Sequence, residues 1–126
     1  KEDPIPGLRA VTTPERVREL QALRGDILVA PPIRRYIAEL TAATRAHPRV
    51  RYGASPRGSL GLLKAAQASA LLAGRDYAVP DDVKLLAQPV LAHRLILRHE
   101  ERAKGASAAS VMAEILSGVP APSPAG

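Results

Sequence analysis

The 126 residues suffice for one domain with a modest core and not for two. With no cysteine, phenylalanine or tryptophan and only three tyrosines, the chain excludes a disulfide frame, a thiolate nucleophile and a cysteine zinc site, and its core must be aliphatic. The net charge of +6 is uneven: residues 25–57 hold six arginines (Arg34, Arg35, Arg45, Arg49, Arg51, Arg57) against Asp26 and Glu39, a field that favours an anionic partner.

Alanine and leucine favour helix, so the expected fold class is all-α, a small bundle of four main helices plus a short C-terminal one. No apolar run approaches the roughly 18 residues of a membrane span, and Lys1-Glu2-Asp3-Pro4 is no signal peptide. A cytoplasmic location is the expectation.

Residues 1–12, with Pro4, Pro6 and Gly7, read as an extended connector from an upstream domain. Thr13-Pro14 signals a helix start, and Glu15 places a carboxylate in its first turn. Val17, Leu20, Leu23 and Ile27 follow at helical spacing, with Arg16, Arg18 and Glu19 largely on the other face, and a stop is expected near Gly25. Ile27-Leu28-Val29 then reads as a short buried crossing. Pro31-Pro32 opens a second helix with Ile33, Tyr36, Ile37, Leu40 and Ala43 or Thr44 on one stripe. His47-Pro48 ends it, because the residue before proline is pushed out of the helical region. Arg49 to Gly53 is a short extended link.

Tyr52-Gly53-Ala54-Ser55-Pro56-Arg57 is the stretch with chemical content. The Ser55 hydroxyl is expected to accept from a first-turn N–H, and Pro56 suits the first helical position because it lacks a donor that would be orphaned there. Arg57 then sits at the positive end of a helix dipole, where a cation is unfavourable by tenths of a kcal/mol. A solvated arginine is the bland reading. The sharper one is an arginine aimed at an anion such as phosphate.

The helix from Pro56 to about Ala73 is apolar nearly all round and is expected at the centre of the bundle, covered on several sides. Gly74 is its expected C-terminal turn residue. Val79-Pro80-Asp81-Asp82 opens a fourth helix, whose Val83, Leu86, Val90 and Leu91 face inward. Pro89 is expected to kink or split it, leaving a second short piece that ends near Arg94. Arg98 to Gly105 reads as a charged loop. Ser107 to Leu116 makes a last helix capped by Gly118. Residues 13–119 thus form the domain, and residues 120–126 (Pro-Ala-Pro-Ser-Pro-Ala-Gly) are expected to be disordered.

Tyr52 to Arg57, Gly74-Arg75-Asp76-Tyr77 and Val79-Pro80-Asp81-Asp82-Val83 resemble the C-terminal lid of MoxR-type AAA+ ATPases, and the similarity runs from about Thr13 to about Pro120. In that family Gly-Ala-Ser-Pro-Arg is the sensor-2 motif. The resemblance therefore implies that Ser55, Pro56 and Arg57 form the nucleotide contact, with Arg57 reaching the γ-phosphate. It also implies ATP and Mg2+ held mostly by a preceding core domain, ring hexamers, chaperone-like remodelling and partners with von Willebrand factor A domains. Val79 departs from the family, where Ser or Thr usually stands. Arg94, within Ala92-His93-Arg94-Leu95, matches the family pattern and reads as an ion-pair residue, structural or subunit-facing.

No Gly-x-x-x-x-Gly-Lys-Ser/Thr loop occurs, and no apolar run ends in Asp-Glu, so the fragment by itself is expected to be no enzyme but part of one. His47, His93 and His99 lack metal-ligand spacing, and Asp81-Asp82 reads as a dipole pair. Proline after Ser55 spoils a nucleophile elbow. The alternative is a basic helical nucleic-acid-binding module. It lacks a polar recognition stripe and stacking aromatics, so no nucleic acid is expected as partner. A third reading is a protein-docking bundle in which Arg57 is only solvated.

Overall fold

The computed structural model describes residues 3–123. Its helices are α1 (Pro14–Arg24), α2 (Pro31–Ala46), α3 (Pro56–Leu72), α4 (Pro80–Leu91), α5 (His99–Ala103) and α6 (Ala108–Gly118). Two short strands, β1 (Val50–Tyr52) and β2 (Ile96–Leu97), pair antiparallel, with Val50 opposite Leu97 and Tyr52 opposite Ile96. The all-α expectation holds, with this ribbon as its minor exception.

Proline at the first position starts α1, α2, α3 and α4, where its missing N–H costs nothing and its fixed φ suits the helix. The centre belongs to α3, which packs against α1, α2 and α4, and α6 closes the bundle against α2 and α4. Leu40, Leu62, Ala66, Ala70, Val83, Ala87, Leu91, Val111 and Met112 are inaccessible to solvent. Small residues along α3 let α4 approach closely. The alanines of both helices then supply contact area at little cost in side-chain entropy.

Turn chemistry sets the joints. After α3, Gly74 takes a left-handed conformation (φ +75°), the Arg75 N–H reaches the Ala70 carbonyl at 2.9 Å and the Gly74 N–H reaches Leu71 at 3.0 Å. These are the two bonds of a Schellman ending. Leu28 then bridges to the segment before α4, donating to the Asp76 carbonyl and accepting from the Ala78 N–H, each at 2.9 Å.

With no serine or threonine at the cap of α4, Asp82 serves instead. It is buried, and its carboxylate accepts from the Val79 N–H at 2.8 Å, from Ser69 Oγ at 2.7 Å and from both terminal nitrogens of Arg75. Burial alone would raise the Asp82 carboxyl. The hydrogen bonds from Arg75, Val79 and Ser69, with the Arg75 charge, outweigh it and hold the group below its ordinary value.

Tyr36 is the one buried tyrosine among the described residues, and its hydroxyl finds no hydrogen-bond partner there. Burial pushes its phenol up, and the Asp81 carboxylate adds to the shift. Tyr52 and Tyr77 are exposed.

Several expectations are corrected. The α1 stripe is not buried: Val17 and Leu23 are exposed and Leu20 half-buried, because α1 touches little besides one side of α3. Within residues 27–29, Ile27 and Val29 are buried while Leu28 faces solvent. Likewise α3 is central but not fully enclosed, with Leu60 and Leu72 open to solvent. Pro89 does not split α4; the Leu85 turn whose carbonyl it leaves without a donor lies on the outer face, within reach of water. The expected second short piece ending at Arg94 is nevertheless there, as a 3-10 turn over Ala92–Arg94. Residues 98–105 do not loop out but contain α5, whose first turn carries Glu100 and Glu101 in favourable dipole positions. Ala121 packs against the core, and Pro120 and Pro122 line a cleft with Pro32 and Tyr36, so the stretch 120–123 is docked. The expectation of disorder for 124–126 lies outside the described residues.

Candidate functional site

The tip of α3 carries the candidate residues. Ser55 is in extended backbone (φ −79°, ψ 170°) and Pro56 opens the helix, as expected. The expected hydroxyl cap is absent. Ser55 makes no side-chain bond to the first turn, and only its carbonyl accepts, from the Gly58 N–H at 2.8 Å. Ser55, Pro56 and Arg57 are all exposed. Arg57 has neither an acidic partner nor a hydrogen bond among the described residues, so its guanidinium is free for an external anion.

The backbone leading to this tip is held tightly by the last turn of α2. Ala54 is buried, its N–H donates to Thr44 Oγ1 at 2.9 Å, and its carbonyl accepts from Arg45 Nη1 at 2.7 Å. Gly53 lies flat against the same turn. A Cβ there would stand 2.6 Å from the Arg45 amide nitrogen and 2.7 Å from the Thr44 carbonyl carbon, so no larger residue fits without backbone movement. Further along, Ser59 Oγ donates to Thr41 Oγ1 at 2.8 Å, and Thr41 in turn donates to the Ile37 carbonyl at 2.8 Å. Hydroxyls on the buried stripe of α2 thus bind α3 side on.

The other flank is formed by the turn after α4. Gly58 sits beneath Ala54, Leu91 and Arg94, with the Arg94 Cδ 3.6 Å from where a Gly58 Cβ would lie. Arg94 is exposed and forms no ion pair among the described residues. Its expected ion-pair role therefore has no partner within them.

The arginine excess is not an open patch. Arg34 Nε donates to the Val29 carbonyl at 2.8 Å, Arg45 is bound to Ala54, and Arg49 pairs with Glu101 at 3.5 Å and Glu114 at 3.1 Å. Arg51 lies over the ring of Tyr52, 5.3 Å from its centroid. Four of the six arginines are thus engaged within the chain, although Arg34, Arg45 and Arg51 stay exposed. No group of three or more histidine, aspartate or glutamate side chains is placed to hold a metal ion among the described residues. No described helix is long and apolar enough to cross a membrane.

Reasoning from sequence missed Thr44 and Arg45 as site residues. Thr44 on an otherwise apolar stripe was the available signal, since a buried hydroxyl needs a partner. Arg45 carried none, because a cation in a last helical turn is ordinary.

Comparisons with known proteins show the family of the fold. The family model of the AAA lid domain matches residues 42–115, from the second half of α2 into α6. The chain is similar to the YeaC protein of Bacillus subtilis, at 44% identity over 97% of its length and 38% of that protein. It is also similar to the chaperone MoxR1 of Mycobacterium tuberculosis, at 35% identity over 82% of the chain and 30% of that protein. A crystal structure from Cytophaga hutchinsonii, assigned as an ATPase, superposes with a TM-score of 0.82 at 31% identity, over 86% of this chain and 36% of that one. The chain thus spans between 30% and 38% of the length of these relatives.

Proposed function

The chain belongs to the AAA lid domain family, in its MoxR-type form, and on that premise we propose that it presents Arg57 to the terminal phosphates of ATP in an AAA+ ATPase. The observation that carries the proposal is the state of Arg57. Its position is set from behind by a bound, close-packed backbone, while its charge is left without an acid among the described residues. An arginine in the first turn of a helix opposes the local dipole, and a phosphate there reverses the sign of both terms.

The residues fit a phosphate group. The forked guanidinium of Arg57 matches its oxygens, and the first turn of α3 carries no side-chain cap that would compete with the anion. ATP supplies the transferable γ-phosphoryl. Arg57 adds positive charge as negative charge develops on the oxygens. Mg2+ and most of the nucleotide contact belong, in this reading, to a preceding core domain. The lid then turns against that core as a rigid body with nucleotide state. Within a ring, of the hexameric kind that the family resemblance implies, that movement drives chaperone-like remodelling of protein complexes in the cytoplasm, and a protein with a von Willebrand factor A domain is a fitting partner.

The test is Arg57→Ala in the full-length protein. Turnover falls by about tenfold or more, less than the roughly 10³–10⁵ of an arginine finger supplied in trans. KM changes less than kcat, because the contact strengthens in the transition state. Arg57→Lys recovers only part of the loss, since a point charge lacks the fork. Full turnover in Arg57→Ala defeats the proposal. Equal losses in Arg51→Ala reassign the effect to a diffuse basic field.

A further inference from the structure

A cation in the last turn of a helix ordinarily faces that helix's own carbonyls or a nearby acid. Arg45 does neither. Its Nη1 crosses to the carbonyl of Ala54, nine residues on, at 2.7 Å, and no acid pairs with it among the described residues. A bond from a charged donor to a neutral carbonyl is stronger than a neutral pair. The N–H of the same residue is held by Thr44, the neighbour of Arg45. Two consecutive side chains of α2 therefore fix both backbone polar groups of one buried residue.

That residue lies three positions before Arg57. Between them, Pro56 has a fixed φ, and on the other side Gly53 is pressed onto the backbone of Thr44 and Arg45. Little freedom remains along the path. The end of α2 thus determines where the tip of α3 stands.

We infer that Arg45 is the positioning residue for Arg57, acting through the carbonyl of Ala54 with Thr44 as its companion. The inference rests on the phosphate reading of Arg57. Placement matters at this scale, since a displacement of about 1 Å costs on the order of 10²-fold in rate.

The experiment is Arg45→Met in the full-length protein, read by amide hydrogen exchange and by kinetics. Exchange at residues 53–58 is expected to quicken by about tenfold while the core of α3 around Leu62 keeps its protection. Turnover falls several-fold with KM nearly unchanged. Arg45→Lys restores part of both effects, and Thr44→Val moves exchange in the same direction. Arg45→Met in an Arg57→Ala background lowers turnover no further, because the route through Arg57 is already gone. Unchanged exchange at 53–58 overturns the clamp, and independent, multiplying losses in the double variant overturn the route through Arg57. Full turnover in Arg57→Ala alone defeats the phosphate reading and the catalytic half of this inference, while exchange still decides the clamp.

Discussion

Arg75 grips Asp82 with both ends of its fork, Nη1 at 2.9 Å from Oδ2 and Nη2 at 2.8 Å from Oδ1, and so ties the turn after α3 to the start of α4. Asp82 is almost fully buried and also accepts from Ser69 and from the Val79 N–H. Removing the carboxylate takes the acceptor from Ser69 and the Val79 N–H at once, while Arg75 keeps the Tyr77 carbonyl at 2.9 Å. Asp82→Ala is expected to destabilise the domain by about 3 kcal/mol, the low end of the range for breaking a buried pair, because Arg75 keeps access to water. Urea denaturation measures it. A loss below about 1 kcal/mol shows that the pair is only a surface contact.

The same carboxylate gives the domain an acid limit. Its folded value lies below the unfolded one, so the unfolded chain takes up the proton first as pH falls. The stability it contributes is complete above the ordinary carboxylate range near pH 4 and is lost as pH drops through the folded value. Denaturation midpoints followed from pH 7 down to about pH 2.5 test this. Asp82→Asn starts lower and shows a shallower decline in acid. Parallel curves for the two proteins rule Asp82 out as the source.

Two leucines two positions apart on α3 have different surroundings: Leu62 is inaccessible to solvent and Leu60 is 59% exposed. Leu62→Ala is expected to cost roughly 2–5 kcal/mol and Leu60→Ala less than about 1. Similar urea midpoints for the two variants contradict the packing of α3 against α2 and α4.

Gly53→Ala is a small change with a large steric consequence. The added methyl meets backbone atoms of Thr44 and Arg45, which cannot rotate away as a side chain can. The domain is expected to lose about 1–3 kcal/mol, with the chemical shifts of Ala54 to Gly58 moving most. Spectra unchanged at those residues exclude the close approach.

Nucleotide binding by the isolated 126-residue chain is expected to be weak, in the millimolar range or above, since one arginine and one helix tip offer only about 1–3 kcal/mol. Hydrolysis by this chain alone is not expected, as its sequence holds no phosphate loop. Titration with ATP under NMR observation tests the first statement, and micromolar affinity reveals a pocket beyond the tip of α3.

Local chemistry made much of this fold legible. Pro14, Pro31, Pro56 and Pro80 mark helix starts because a missing N–H costs least there, and Gly74 marks an end because its φ is positive. The α2 stripe of Ile33, Tyr36, Ile37 and Leu40 followed from spacing. What escaped depends on distant partners. Ile96 and Leu97 become a strand only because Val50 and Tyr52 lie beside them, a pairing across more than forty residues. The exposure of Val17 and Leu23 reflects how little of α1 is covered, which periodicity cannot report. At the site, the place of Arg57 in the first turn of α3 was readable from Ser55-Pro56, whereas the hold of Arg45 on Ala54 required the closing of a nine-residue loop.

The placement of the three tyrosines has a practical outcome for anyone following this molecule by light. In the absence of tryptophan, all ultraviolet emission comes from phenol rings. Tyr36, packed inside α2, is asymmetrically surrounded and supplies the circular dichroism band that vanishes when the core melts. Tyr52 stands in solvent beside Gly53, with the Arg51 guanidinium over its ring, and its emission responds to events at the tip of α3 without any attached dye. Tyr77→Phe silences the remaining exposed ring and leaves one optical channel for the core and another for the site.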